Sequence, residues 1–335
     1  MRILLLSWEF PPRIIGGIAR HVEGIAKGLA ALGHEVHVVT LDFPGSPPYE
    51  QVGSLHTHRV SVDMATPSFN TWVLAFNLFF EKKVGQVASL FGRPDVVHAH
   101  DWLTVPSGIS SKHLLRCPFV LTFHSTEAAR SGGSTSPDSN FVHGLEKWGS
   151  SEAAKVITVS KWMEEHVSSL FGIPPGKVEV IPNGIDASKF DGAFDRESAR
   201  SDIGVGPAEP LITCVGRMTP QKGFDNLLRA FPRILSSAPN SKLLLIGEGH
   251  MREELEALAK REGVADRTLF WGFVTDEQMI SALKSSDVVV VPSRFEPFGI
   301  TALEAMSAGV PVVVARVGGT VSTWTPTARS RSPMG

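Results

Sequence analysis

Three segments of this sequence combine residue types and spacings suited to a polar, anionic ligand. The first is Gly16-Gly17, between an apolar run and a helical pattern. At such a junction unpaired backbone N–H groups and the helix dipole favour an anion, and glycine lets the backbone come close to it. The same pair would equally serve as a plain tight turn. The second is Gly216-Arg217-Met218-Thr219-Pro220-Gln221-Lys222-Gly223. It puts a guanidinium fork and a mobile ammonium in one loop, and both suit phosphate oxygens, with a solvated loop as the alternative. The third is Glu296-Pro297-Phe298-Gly299-Ile300-Thr301-Ala302-Leu303-Glu304, with a carboxylate on either side of a helix start. Carboxylates accept hydrogen bonds from sugar and ribose hydroxyls. Glu304 falls in the apolar stripe of Ile300, Leu303 and Ala308, where a carboxylate is costly unless it has a partner; otherwise it is a solvated helix residue. None of these segments is G-x-G-x-x-G or G-x-x-x-x-G-K-[ST], so a dehydrogenase and a P-loop NTPase both lose support.

The elements that must position these residues are legible as an alternation. Ile3-Leu4-Leu5-Leu6 reads as a buried parallel strand that breaks at Glu9-Phe10-Pro11-Pro12. Ile18, Val22, Ile25, Leu29 and Leu32 recur at helical spacing until Gly33, and 36–40 is the next strand. This βαβ unit is expected to cross over right-handed. The pattern continues with a helix over 72–91 and strands at 95–99, 119–123, 155–159 and 177–181. A Gly-, Asp- and Pro-rich passage after Pro182-Asn183-Gly184-Ile185-Asp186 marks a domain boundary. Strands at 211–215, 242–246, 268–271, 288–291 and 311–315 then alternate with helices near 224–235, 251–261, 276–284 and 300–308. The expected fold is α/β, with two facing Rossmann-like domains (1–185 and 186–319) and a cleft between them. Ligands of open α/β sheets lie at the carboxyl ends of strands, which would turn Arg217, Lys222 and Glu296 into that cleft. Residues 320–335 are rich in Ser, Thr, Pro and Arg without apolar periodicity. They are expected to be disordered and to leave the second domain incomplete, with apolar faces at 300–308 and 311–315 partly exposed.

Composition narrows the functional classes. The chain has 335 residues, 32 Lys plus Arg against 34 Asp plus Glu, and 42% hydrophobic residues, which is globular usage. A net charge of −2 offers no broad cationic face, so no nucleic-acid partner is expected. Cys117 and Cys214 form no C-x-x-C pair, which excludes a thiolate zinc site and fits a reducing compartment. The opening apolar run is too short for a secretory signal, and no stretch of about 18 apolar residues occurs. A cytoplasmic protein is expected. The apolar segment 72–80 could make weak peripheral membrane contact, but it lacks the basic polar face of an interfacial helix, so core packing is the expectation.

Taken in order, these motifs resemble the family 4 glycosyltransferases of the GT-B fold over residues 1–319. Glu296 and Glu304 match the family's E-x7-E motif, and Gly216-Arg217 with Lys222-Gly223 match its Arg/Lys pair. Ile181-Pro182-Asn183-Gly184-Ile185-Asp186 matches the segment leading out of the N-terminal domain. Ser7-Trp8-Glu9-Phe10-Pro11-Pro12 and His98-Ala99-His100-Asp101-Trp102 resemble the glycogen and starch synthase branch. The resemblance implies transfer of a sugar, glucose by the branch, from a nucleotide-sugar to a hydroxyl acceptor such as an α-glucan, with retained anomeric configuration. It implies that Arg217, Lys222 and the backbone at Gly16, Gly17, Phe298, Gly299 and Ile300 hold the donor diphosphate. Glu304 would hold the ribose and Glu296 the donor sugar hydroxyls. His124, in Leu121-Thr122-Phe123-His124-Ser125, matches the active-site histidine, Asp101 would lie on the acceptor side, and Asn183 would line the cleft. The sequence contains no D-x-D pair, so a metal-independent reaction without a cofactor is expected. The segment from Thr320 has no counterpart in the family pattern.

Other classes compete. His98-x-His100 with Asp101 could form a metal pair of a hydrolase, since alternate residues of a strand point the same way, but that arrangement would need a barrel. His56-x-His58 is expected at the surface. A nucleotide-sugar epimerase, or a nucleotide-sugar-binding protein without catalysis, would share the diphosphate loops.

Overall fold

In the computed structural model, which describes residues 1–323, the opening apolar run forms β1 (Arg2–Leu6), buried from Ile3 onward. The first unit, Met1–Asn183, continues through α1 (Gly17–Ala31), β2 (Glu35–Leu41), β3 (Tyr49–Val52), β4 (Leu55–Val60), α2 (Phe69–Phe91) and β5 (Val96–His100). It is completed by α3 (Val105–Leu115), β6 (Phe119–Phe123), α4 (Glu127–Ser131), α5 (Pro137–Glu152), β7 (Lys155–Thr158), α6 (Lys161–Phe171) and β8 (Val178–Val180). The eight strands lie in the order β3-β4-β2-β1-β5-β6-β7-β8, and all pairs are parallel except β3 with β4. β1 is the pivot: Leu4 faces His37 of β2 on one side and Val97 of β5 on the other. Strand order therefore reverses between β1 and β5, and a ligand crevice opens at such a point, beyond the carboxyl ends.

Two features of this unit depart from the sequence reading. Residues 49–60 form the hairpin β3–β4, which the apolar pattern did not disclose. His56 and His58 are accordingly buried rather than at the surface, because β4 is flanked by β2 and β3 and Phe91 of α2 packs on both rings. The apolar segment 72–80 does line the core: Val73, Phe76 and Phe80 are buried, whereas Phe69, Leu74 and Leu78 stay exposed. No helix of the described residues is long and apolar enough to cross a membrane.

The second unit begins at Gly184 and contains α7 (Arg196–Ile203), β9 (Leu211–Val215), α8 (Phe224–Ser237), β10 (Lys242–Ile246), α9 (Arg252–Arg261), β11 (Thr268–Phe270) and α10 (Asp276–Ser285). β12 (Val288–Val291), α11 (Ile300–Ser307), β13 (Val312–Val314) and α12 (Thr320–Thr323) follow. Its sheet is wholly parallel, ordered β11-β10-β9-β12-β13. Phe224, Leu227, Leu228 and Phe231 recur at helical spacing on α8 and are buried in one cluster with Ile212, Leu243 and Leu245. Strand order reverses between β9 and β12, so this unit too has a switch point. Val313 on the edge strand β13 and Met306 on α11 are exposed.

The expectation of disorder from Thr320 is corrected for its first residues. α12 is helical, and Thr320 is buried, its hydroxyl accepting from the Val317 N–H at 3.0 Å and lying 2.7 Å from the Ala315 carbonyl oxygen. Residues 324–335 lie outside the described residues.

Candidate active site

In the first unit the carboxyl ends of β1, β5 and β6 each deliver a polar group. After β1 the chain turns at Glu9, whose buried carboxylate accepts from the N–H groups of Ile15 (2.6 Å) and Gly16 (2.8 Å). The protein's own anion thus occupies the loop, and the Gly16 N–H expected on a diphosphate is already engaged. Gly17 opens α1.

One turn into α1, buried His21 meets Asn183, with Nδ1 2.7 Å from the Asn183 Oδ1. His98 and His100 share one face of β5, their ring centroids 4.3 Å apart. His98 Nε2 pairs with the Thr122 hydroxyl at 2.7 Å, and His100 Nδ1 lies 3.2 Å from Nε2 of His124, the first residue after β6. The His21 ring sits 4.4 Å from His124 and 5.4 Å from His100. Four imidazoles therefore pack together, and burial holds them neutral: His21 falls to about 4, His98 to about 3, and His100 and His124 well below the usual range. Buried Nε2 atoms of His21 and His100 have no hydrogen-bond partner.

Asp101, expected on the acceptor side, is buried. Its carboxylate is turned inward and accepts from the N–H groups of His124 (2.7 Å) and Ser125 (3.4 Å). It thereby fixes the backbone that carries His124. Its φ of 59° is left-handed, a conformation that costs a non-glycine residue about 1 kcal/mol or more. Burial raises its pKa to about 6. Beneath it, fully buried Glu146 accepts from the Glu127 N–H (2.7 Å) and from Arg130 (3.2 Å), and burial raises it to about 8.

The second unit gathers its residues at the carboxyl ends of β9 and β12. Arg217 follows β9 and is exposed. Lys222 ends a 3-10 turn, and its ammonium donates to the Glu296 carboxylate at 2.8 Å, where the Ser293 hydroxyl also donates at 3.1 Å. Glu296 is buried in the loop after β12. Two glycines set this geometry. A Cβ at Gly223 (φ 66°) would collide with the Pro292 carbonyl oxygen, and one at Gly318 (φ 52°) with the Glu296 carbonyl oxygen. The Gly319 N–H donates to that same Glu296 oxygen at 2.8 Å. Phe298 is buried, Gly299 is left-handed at φ 98°, and Ile300 starts α11, so the N-terminus of this helix follows Glu296 by four residues. Glu304 is half-buried on α11.

Residues 15–189 match the model of Glycosyltransferase Family 4, and residues 195–328 that of Glycosyl transferases group 1. The chain belongs to the group 1, family 4 glycosyltransferases. The family match runs past residue 319, which corrects the reading of everything from Thr320 on as foreign to the family. Among its relatives, an uncharacterized glycosyltransferase of Methanocaldococcus jannaschii is 45% identical over 322 residues, covering 95% of this chain and 81% of the relative. A glycogen synthase of Mycobacterium tuberculosis is 37% identical over 336 residues, covering 95% and 79%. Among solved structures, sucrose-phosphate synthase from Thermosynechococcus elongatus superposes with TM-score 0.80 at 24% identity over 96% of this chain and 82% of that one. Starch Synthase IV from Arabidopsis thaliana, bound to ADP and acarbose, gives 0.79 at 19% identity over 100% and 86%. The fold is GT-B and the activity that of a group 1 glycosyltransferase. The hydrolase alternative falls away, since neither open sheet is a barrel.

The sequence reading of this glycosyltransferase passed over His21, Glu9 and the Arg130–Glu146 pair. His21 had a signal, since it lies between Ile18 and Ile25 at helical spacing, on the face of α1 that is buried. Glu146 had none, because its burial depends on α5 packing against its neighbours.

Proposed function

We propose that this glycosyltransferase moves a glucosyl group from a nucleoside diphosphate glucose to a hydroxyl of an α-glucan, with retention and without a metal. The observation that carries the reading is the loop pair at the β9/β12 switch point, with exposed Arg217 and the Lys222–Glu296 ion pair beside the start of α11. Departure of a nucleoside diphosphate concentrates negative charge on its phosphate oxygens. Arg217, Lys222 and the N–H groups near Gly299 are then held where that charge develops, and preorganised donors act mainly on the transition state. Lys222 leaves Glu296 for the diphosphate, which frees the carboxylate to accept from the donor sugar hydroxyls, while Glu304 accepts from the ribose. In the first unit His124 is the catalytic candidate, a neutral imidazole on a backbone that Asp101 fixes. Kinship with glycogen synthase supports glucose and a glucan, and solved proteins of the same fold bound to UDP-glucose or ADP support the donor class.

Supply the chain with UDP-, ADP- and GDP-glucose in separate reactions with glycogen, with and without EDTA. Elongation with α-linkage and unchanged activity in EDTA is expected. A strict divalent requirement sinks the metal-free reading, and donor conversion without acceptor makes the chain an epimerase.

A further inference from the structure

A second cluster of metal-ligating groups lies in the first unit, on β2 and β4, among residues to which the proposed transfer gives no task. His37 and His56 are register partners across the β2–β4 pair, and their rings stack at 4.5 Å with 13° between planes. His37 Nε2 lies 3.0 Å from the Glu35 carboxylate. One ligand atom each from Glu35, His37 and His56 falls within 4.8 Å of the others. Two ligands of a tetrahedral zinc ion sit roughly 3.3 Å apart for bonds of about 2.0 Å, so the His37–Glu35 spacing suits a shared metal, while His56 must approach and turn its ring out of the stack.

The other nitrogens of both rings are already held. His37 Nδ1 faces His58 Nε2 at 3.0 Å, and His56 Nδ1 faces the Tyr49 hydroxyl at 2.8 Å. Ligating histidines usually have the distal ring nitrogen fixed in this way, which sets ring orientation and tautomer. The Glu35 side chain is a third exposed, which gives an entry path.

We propose that Glu35, His37 and His56 form a binding site for a divalent zinc-like ion, with His58 and Tyr49 orienting the two imidazoles. Two imidazoles and a carboxylate select Zn²⁺, Co²⁺ or Ni²⁺ over Mg²⁺ or Ca²⁺. On binding, the His37 proton moves from Nε2 to Nδ1 while His58 shifts its own from Nε2 to Nδ1, so the His37–His58 bond reverses direction and no proton need be released. The ion would tie β2 to β4 at the amino end of the sheet. Arg2 competes for the Glu35 carboxylate through Nε (3.0 Å) and Nη2 (2.8 Å), so the site is weaker than a dedicated zinc centre.

EDTA-treated full-length chain is titrated with Zn²⁺ by calorimetry and with Co²⁺ by visible absorption. One equivalent should bind, with the intense Co²⁺ bands of tetrahedral coordination. Glu35→Gln and His56→Gln should each weaken binding at least tenfold, Arg2→Gln should tighten it, and His21→Asn, in the other imidazole cluster, should leave it unchanged. Glu35 is partly exposed, so E35Q remains informative if H56Q fails to fold. Absence of binding, binding indifferent to E35Q, or loss of binding in H21N would each overturn the proposal.

Discussion

Lys222 and Glu296 neutralise each other at 2.8 Å, although the proposed reaction gives each a separate ligand group. In that proposal donor binding exchanges one ion pair for two separate contacts. Replacing Lys222 by Met should remove a diphosphate contact and also leave the buried Glu296 carboxylate short of a partner, lowering stability by about 1–3 kcal/mol in urea titration. Arg217 is exposed, so Arg217→Ala should leave the urea midpoint unchanged while kcat/KM falls at least ~100-fold. Asp101 separates two roles in the same way. Asp101→Asn keeps an acceptor for the His124 and Ser125 N–H groups and should fold normally, whereas Asp101→Ala leaves those donors unmet and should cost about 1–3 kcal/mol. A contact with acceptor alone would make the two variants equally stable. These residue types were legible in the sequence because phosphate and sugar chemistry needs few groups. That Asp101 points inward was not, because the direction depends on a backbone conformation no residue type announces.

At the scale of elements, each unit places its polar groups where strand order reverses, and the loops there are held by close backbone approaches. Gly223→Ala would force a left-handed residue into the Pro292 carbonyl and should lose more than ~1 kcal/mol, with reduced nucleotide affinity because Lys222 shifts. Thermal melts with and without nucleotide read both effects. The parallel strands were legible because buried strands read as apolar runs, as in Val288–Val291. The β3–β4 hairpin was not. Leu55-His56-Thr57-His58-Arg59-Val60 reads as polar, yet every residue is buried. Its polar groups satisfy one another and their neighbours, as when Arg59 donates to Glu50 at 2.9 Å and to the Pro47 carbonyl at 3.1 Å. Burial of that kind depends on partners distant in sequence, and a local pattern does not carry it.

For the whole molecule, the buried titratable groups set opposing proton linkages. His21, His58, His98, His100 and His124 all titrate far below the unfolded value of about 6.5, because burial penalises the cation. Between pH 6.5 and about 4 the unfolded chain takes up protons that the native one refuses, so stability falls as pH falls. Asp101 and Glu146 act in reverse. Their raised values, about 6 and about 8, make the native state hold protons that the unfolded chain releases, and their contribution is lost as pH rises from about 4 towards 8. The imidazoles outnumber the carboxyls, so the urea midpoint should drop more steeply from pH 7 to 5 than from pH 7 to 9. Glu146→Gln, which mimics the protonated carboxyl, should flatten the drop from pH 7 to 9 and steepen the one from pH 7 to 5, where the native carboxyl's retained proton had opposed the imidazoles. An alkaline limb that persists in this variant would remove Glu146 as its cause.

The central place of β1 has a consequence for how the chain is made. One edge of β1 pairs with β2 from Glu35 onward, but the other waits for β5, whose Val96 pairs with Ile3. At ribosomal speeds of about 5–20 residues per second, that separation corresponds to roughly 5–20 s of translation. Throughout this interval the nascent chain carries Ile3-Leu4-Leu5-Leu6 with one side unclaimed. The strand that later anchors the first sheet is thus the one most in need of shelter during synthesis.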